Sequence, residues 1–150
     1  MDGWIFIDKP KNITSFKVIK RLKKVLNIKK IGHTGTLDPF ATGILAIALG
    51  EATKSIHYLN QNKVYKFNVV FGELKDTDDI TGKTIKKSNI LPTLDEIDKC
   101  IKKFIGKHKQ IPPQFSAVKV NGKRAYKLAR NNQKFELKAK DVFIKSIECS

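Results

Sequence analysis

The chain has 150 residues and carries 30 lysines and arginines against 14 aspartates and glutamates, a formal net charge of +16. An excess of this size favours a partner that is rich in phosphate. Hydrophobic residues make up 41% of the chain, which is enough for a core and argues against an intrinsically disordered protein. The longest apolar run, residues 44–49, is far shorter than the ~20 residues of a membrane-spanning helix, so we expect no membrane span. Binding to a lipid surface is an alternative that no feature of the sequence supports, and we expect no membrane partner.

The positive charge is concentrated at the two ends of the chain. Residues 1–50 hold 9 basic and 3 acidic side chains, residues 51–100 hold 8 and 8, and residues 101–150 hold 13 and 3. This segregation favours a binding face, although lysines that simply keep the surface soluble are an alternative. Because nearly all the basic residues are lysines, we expect attraction to phosphate with little reading of bases.

In chain order, the pattern first predicts a strand and a helix. Residues 3–8 are apolar and β-favouring and run into a turn-forming cluster. Thr14 or Ser15 can cap a helix whose apolar residues recur at helical spacing, while its lysines lie mostly on other faces. Residues 29–43 have no period and are rich in Gly, Thr, Asp and Pro, which predicts an ordered loop of the kind that carries function.

The middle of the chain continues with a buried strand at residues 44–49 and a helix at residues 51–60. Residues 63–71 are β-rich and alternate in part, which predicts a strand. A turn-rich acidic segment follows at residues 76–82. Thr93 and Glu96 match a capping box that opens a helix reaching about residue 104, with a glycine as its stop.

The last part is predicted to contain a strand at residues 116–120, a tight turn at Asn121-Gly122 and a helix at residues 124–131. An alternating stretch then predicts a final strand. Strands and helices are mixed without regular alternation and without internal repeats. We therefore predict an α+β fold, a mixed, largely antiparallel sheet with flanking helices.

The sequence partly matches three ligand-binding motifs, but each lacks a residue or a spacing that the motif requires. Thr81-Gly82-Lys83-Thr84 imitates the end of a phosphate-binding loop, but Thr77 stands where its first glycine is required. Lys87 stands where a calcium loop needs its closing glutamate, and the histidines and the two cysteines have no zinc spacing. We therefore expect neither a metal nor a nucleotide cofactor. Two cysteines without a secretory pattern indicate a reduced, cytoplasmic protein.

The remaining loop, GHTGTLDPFATG at residues 32–43, resembles the catalytic loop of the TruB family of tRNA pseudouridine-55 synthases. The similarity extends along nearly the whole chain. It includes GWIFIDKPKNITSF at residues 3–16, GEATK at 50–54, VYKFNVVFG at 64–72 and QIPPQFSAVKVNGKRAYKLAR at 110–130. Several long matches in the same order are a specific signal, whereas a lone Leu-Asp-Pro is more often a simple turn.

The resemblance implies a pseudouridine-synthase-like fold and an enzyme that isomerises a uridine in the T loop of tRNA, at position 55, without cofactor or metal. Asp38 would be the catalytic nucleophile. A carboxylate suits this chemistry because it can attack the ribose or the base, or remove a proton, while the base is retained. The sequence does not choose among these routes.

The resemblance also assigns roles around Asp38. Tyr65 would stack on the extruded base, and His33 would contact the flipped nucleotide. Gly32 and Gly35 would let the backbone pass close to RNA. Lys9, in the opening Lys-Pro, is expected to brace the catalytic loop and is counted among the residues facing the RNA.

A second set of residues is expected to grip the RNA from the block at residues 110–130. It comprises Lys119, Lys123, Arg124, Lys127 and Arg130. Asp79 matches an acidic position of the family, and its role stays open.

Members of the family continue past the position of Ser150 into a Lys-Gly-Thr-Tyr-Ile-Arg type motif, whose arginine pairs with the catalytic aspartate. We therefore expect residues 1–150 to be the N-terminal part of a single catalytic domain, incomplete and nearly inactive alone, without the C-terminal RNA-binding module. The complete protein is expected to be a monomer that binds the T-arm stem-loop of tRNA.

Three other functions are compatible with parts of the sequence. A non-catalytic tRNA-binding or RNA-folding protein would explain the charge and Tyr65. A guide-RNA-dependent relative would share the Asp38 loop, and a structural ribosome-associated protein would share the charge. The intact loop favours the enzyme over the first and third of these.

Overall fold

The structure, a computed structural model, describes residues 1–59, 62–116, 118–131 and 133–149. The chain divides into two units, Met1–Tyr65 and Lys66–Ser150, which are described separately. In the described residues, no helix is both long enough and apolar enough to cross a membrane.

The first unit is built on a three-stranded antiparallel sheet. Its strands are β1 (Gly3–Lys9), β2 (Ile31–His33) and β3 (Gly43–Leu49), with β3 in the centre. Ile47 of β3 lies opposite Ile5 on one side and His33 on the other. Helix α1 (Ser15–Val25) connects β1 to β2, and a 3-10 helix follows β3 at Gly50–Tyr58.

The core of this unit lies between the central strand and α1. Leu45, Ile47 and Leu49 of β3 are buried together with Val18 of α1. Ile47 is fully buried, and each such aliphatic side chain contributes roughly 1.5–3 kcal/mol of hydrophobic free energy. Leu37, from the loop between β2 and β3, packs against the same cluster, so the loop is fixed to the core.

The described residues of the second unit form three small antiparallel pairs of strands and two helices. The strands are β4 (Glu73–Lys75) with β5 (Thr84–Lys87), β6 (Gly106–Gln110) with β9 (Lys140–Ile144), and β7 (Lys119–Val120) with β8 (Lys123–Arg124). The helices are α2 (Leu94–Lys103) and α3 (Ala125–Arg130). Every strand pair that the structure describes is antiparallel, which confirms the predicted α+β class.

Several predicted local signals are confirmed. The Thr14 side chain accepts a hydrogen bond from the Lys17 amide and caps α1. Thr93 and Glu96 form the complete capping box at the start of α2. Asn121 and Gly122 have φ angles of 48° and 80° and form the two-residue turn between β7 and β8.

Four predicted elements differ from the structure. The loop predicted at residues 29–43 contains strand β2, because Ile31–His33 pair with the central strand. Residues 62–71 form no strand, because no described strand pairs with them, and a strand requires a neighbour for its backbone hydrogen bonds. The segment after β3 is a 3-10 helix. The predicted strand at residues 116–120 is reduced to Lys119–Val120, and residue 117 lies outside the described residues.

Candidate active site

Asp38 begins a four-residue turn on the loop between β2 and β3. The backbone oxygen of Asp38 accepts a hydrogen bond from the Ala41 amide at 3.1 Å, with Pro39 and Phe40 between them. Aspartate followed by proline is a favoured start for such a turn. The Asp38 side chain is exposed, and no hydrogen-bond donor to its carboxylate lies in the part of the chain that the structure describes. The turn therefore fixes the backbone and leaves the carboxylate available.

The residue before Asp38 is held by a buried serine. The Ser15 hydroxyl donates to the Leu37 carbonyl oxygen at 3.0 Å and accepts from the Leu37 amide at 2.9 Å. Ser15 is only 1% exposed, so water does not compete effectively for these bonds. The sequence predicted Ser15 only as an alternative helix cap. Thr14 supplies that cap. A helix start needs only one capping hydroxyl, so the Ser15 hydroxyl next to it could have indicated a different role for Ser15.

The residue after Asp38 is held by Asn12 and Lys9. The Pro39 carbonyl oxygen accepts from the Asn12 amide at 2.7 Å and from the Lys9 ammonium at a longer 3.5 Å. The ammonium also donates to the carbonyl oxygens of Pro10 and Ile13, at 2.9 Å each. A buried ammonium needs this saturation of its three donors. Both neighbours of Asp38 are therefore hydrogen-bonded to residues between Lys9 and Ser15.

Lys9 has no exposed surface, and this corrects its expected place among the residues facing RNA. β1 ends at Lys9, and the turn that follows leaves the carbonyl oxygens of Pro10 and Ile13 without strand partners. The Lys9 ammonium donates to these oxygens inside the unit. The structure therefore places Lys9 where a brace for the loop would lie.

His33 and Gly35 lie at the start of the same loop. The His33 Nδ1 is 2.6 Å from the Gly35 carbonyl oxygen, which can only accept, so Nδ1 carries the proton in this contact. A Cβ on Gly35 would meet no atom within 4 Å, whereas one on Gly32 would lie 2.9 Å from the Ile56 Cδ1. Internal packing against the 3-10 helix therefore explains Gly32, and Gly35 faces open space.

Tyr65 is the last residue of the first unit and lies in a segment without helix or strand. Its side chain is 70% exposed, as is most of the neighbouring apolar surface of this segment. The ring is thus accessible for stacking, although no packed strand positions it in the way that the sequence predicted.

The predicted RNA-gripping residues are grouped in the second unit. Lys119 pairs in register with Arg124, and Val120 with Lys123, across the hairpin. Helix α3 starts directly after Arg124 and ends at Arg130, whose guanidinium lies 5.7 Å from the centre of the Tyr126 ring. The basic side chains of this hairpin and helix are exposed: Lys119, Lys123, Arg124, Lys127 and Arg130.

Comparison with known proteins assigns the chain to a family. The profile of the TruB family pseudouridylate synthase (N terminal domain) matches residues 23–150. The chain belongs to the TruB family. It is 56% identical to tRNA pseudouridine synthase B of Ehrlichia ruminantium over 143 residues, which cover 95% of this chain and 48% of that protein. For the protein of the same name from Roseobacter denitrificans, the identity is 47% over 148 residues, covering 98% and 49%.

The chain thus spans about half the length of these TruB-family relatives. A solved structure with the same fold is a chain in a Cbf5-Nop10-Gar1 complex. It has a TM-score of 0.52 and is 31% identical, over 78% of this chain and 31% of that chain. The resemblance predicted from the Asp38 loop is confirmed.

In this TruB-family chain, the GEATK segment at residues 50–54 connects the 3-10 helix to the start of the chain. Gly50 has a φ of 56°, and a Cβ there would collide with the Asp2 carboxylate, which accepts from the Glu51 amide at 2.6 Å. Glu51 also pairs with Lys30 at 3.0 Å and with Lys54. The hydrogen bonds from Lys54 and Lys30 lower the pKa of Glu51 to about 2. The segment therefore locks the 3-10 helix to the start of the chain.

Asp79 closes the loop between β4 and β5. One of its carboxylate oxygens accepts from the Thr77 hydroxyl, the Thr81 hydroxyl and the Thr81 amide, at 2.6–2.8 Å. Burial acts to raise the pKa of Asp79, but these hydrogen bonds outweigh it and the pKa is lowered. In the described residues, no three His, Cys, Asp or Glu side chains are grouped to hold a metal ion. The observed contacts of Asp79 are those of a loop-stabilising residue.

Proposed function

We propose that this protein, at the length of its TruB-family relatives, converts the uridine at position 55 in the T loop of tRNA to pseudouridine, with Asp38 as the nucleophile. The observation that carries the proposal is the exposed, unengaged Asp38 carboxylate between two anchored neighbours. Family membership supplies the reaction, and the names of the bacterial relatives support tRNA as the substrate.

The reaction rearranges the nucleoside without net gain or loss of atoms. The N1–C1′ bond breaks, the uracil rotates, and a C5–C1′ bond forms. The proton on C5 is released to solvent, and N1 gains a proton. Asp38 would hold the ribose or the base covalently during the rotation. Anchoring of Leu37 and Pro39 supports this role because a nucleophile is effective when it is held in its attacking position.

The base must leave the stacked loop before Asp38 can reach its ribose. Tyr65 would replace part of the lost stacking through its exposed ring, and His33 with Gly35 would contact the flipped nucleotide. The basic hairpin and α3 would hold the T-arm phosphates through Lys119, Lys123, Arg124 and Arg130.

We propose further that residues 1–150 are the N-terminal part of the catalytic domain and are inactive or nearly so without the rest of the protein. The complete enzyme would act as a cytoplasmic monomer without metal or nucleotide. Greater identity to the bacterial tRNA enzymes than to the Cbf5 chain supports the type that needs no guide RNA.

Release of tritium from 5-labelled uridine in a T-arm hairpin tests the proposal. The full-length protein is expected to release the label, whereas the Asp38→Asn variant is expected to bind the hairpin and release none. Asp8→Asn is the matched control, because Asp8 is also an exposed aspartate of the first unit.

Three outcomes of this assay would count against the proposal. Turnover by Asp38→Asn equal to the unsubstituted protein would remove Asp38 as nucleophile. Binding without release by the full-length protein would favour a non-catalytic tRNA-binding protein. Full activity of the 150 residues alone would refute their proposed incompleteness.

A further inference from the structure

Helix α1 carries a stripe of positive charge on the face opposite the core. Lys17, Lys20, Arg21 and Lys24 occupy positions i, i+3, i+4 and i+7 and are all exposed. These four residues are called the α1 stripe. At 100° per residue they lie about half a turn from the face formed by Val18, Ile19 and Leu22, which packs into the core.

Among the residues that the structure describes, the α1 stripe has no acidic ion-pair partner. Helix α1 contains no Asp or Glu, and none of the described ion pairs includes a stripe residue. Helix α2 differs, because two acids occupy its first turn and Asp95 pairs with Lys99 at 2.6 Å.

This charge is unfavourable for α1 itself. Like charges at i+3 and i+4 destabilise a helix, and Lys17 in the first turn opposes the helix dipole. Lys24 in the last turn interacts favourably with the helix dipole, so helix stability explains a positive charge at that end of the stripe only. Binding of an anionic partner would explain all four positive charges.

The position of α1 relates the stripe to the Asp38 loop. Ser15, the first residue of α1, is bonded to both backbone groups of Leu37, so the helix begins beside that loop. With a rise of 1.5 Å per residue, the stripe extends about 10 Å along the helix from there. Ser15 lies on the core face of α1 with Val18, so the loop adjoins that face and the stripe lies on the opposite face of the same helix.

We infer that the α1 stripe is an RNA-binding surface that contacts the sugar-phosphate backbone, separate from the hairpin and α3 of the second unit. The inference rests on the proposed tRNA substrate. A lipid surface fits less well, because a membrane-surface helix inserts its apolar face and the apolar face of α1 is already packed in the core.

Salt-dependent binding of an unmodified tRNA transcript, measured by fluorescence anisotropy, tests the inference. Lys17→Gln, Lys20→Gln and Lys24→Gln together remove three charges while keeping good helix-forming residues. Each lost phosphate contact reduces the magnitude of the slope of log K against log salt by about 0.7–0.9, so three lost contacts should reduce it by about two to three. The matched control is Lys86→Gln, Lys102→Gln and Lys103→Gln, which removes three exposed charges from the second unit and should leave the slope nearly unchanged.

Thermal unfolding separates a binding effect from a folding effect. The stripe variant should melt at the same or a higher temperature, because it loses like-charge repulsion. Equal slopes for the stripe and control variants would overturn the inference while leaving the proposed function intact. If the unsubstituted protein bound no tRNA, the proposed function would fall with it. Loss of binding to anionic phospholipid vesicles, with tRNA binding unchanged, would assign the stripe to lipid instead.

Discussion

At the scale of single residues, the site depends on how its neighbours hold Asp38. An aspartate before proline usually serves a turn, and the backbone of Asp38 does so here. This turn differs from a simple one because both flanking residues are hydrogen-bonded. Ser15 bonds Leu37, and Asn12 and Lys9 bond Pro39. The carboxylate is thereby presented on a fixed backbone without being used by it.

Replacing Ser15 by alanine should lower turnover more than binding. The change leaves the buried Leu37 amide and carbonyl without partners, which costs about 1–3 kcal/mol of stability and loosens the position of Asp38. Under the proposed function, we expect kcat of the full-length protein to fall about tenfold or more with KM nearly unchanged. Thr14→Ala is the control, since it removes the α1 cap at a cost of about 1 kcal/mol but spares Leu37. Equal kcat values for the two variants would show that Ser15 is only structural.

The ion pairs of Glu51 predict a stability change at acidic pH. Its pKa is lowered to about 2 from an ordinary value of 4.5. A carboxylate with a lowered pKa stabilises the folded state above the unfolded value, and this contribution disappears as pH falls from about 4.5 to about 2. The effect should be small and salt-sensitive because Glu51 is exposed. Melting temperatures of Glu51→Gln across this range should lose that part of the pH dependence, whereas Glu136→Gln should retain it.

At the scale of elements, the sequence predicted best where the signal was local. The Thr93–Glu96 capping box and the Asn121-Gly122 turn depend on residues a few positions apart, and both are present. The strand predicted at residues 63–71 failed because β-rich composition cannot supply a neighbouring strand. The hydrogen bonds to Leu37 and Pro39 join residues more than twenty positions apart in the sequence, so local spacing could not predict them.

The hairpin of β7 and β8 should depend on Gly122. Its φ is 80° and a Cβ there would meet no atom within 4 Å, so Gly122→Ala strains the backbone without a clash. The left-handed conformation costs an alanine roughly 1–2 kcal/mol, which is a large share of what a short hairpin gains. We expect weaker tRNA binding and loss of the cross-strand NMR contact between Lys119 and Arg124. Asn121→Gly should preserve both, and unchanged binding by Gly122→Ala would show that the hairpin does not need this turn.

At the scale of the whole chain, the two units differ in how much apolar surface they bury. The first unit has a buried cluster at β3 and α1. Of the residues described in the second unit, Ala125 is the one fully buried apolar side chain, while Leu94, Phe104 and Phe143 are exposed. Its sheets are two-stranded, and such pairs are only marginally stable without a covering layer.

Hydrogen exchange should reveal this difference. Amides at Leu45, Ile47 and Leu49 of β3 exchange only when the buried cluster opens, so they should be the most protected. The strand pairs β4–β5 and β6–β9 can open without breaking a comparable core, so their amides should exchange at least about tenfold faster. A tenfold difference corresponds to roughly 1.4 kcal/mol in the free energy of opening. Ile47→Ala should reduce protection throughout the first unit, because removing a fully buried isoleucine costs about 2–5 kcal/mol. Equal protection of both units in the unsubstituted chain would mean that they unfold together and would contradict this prediction.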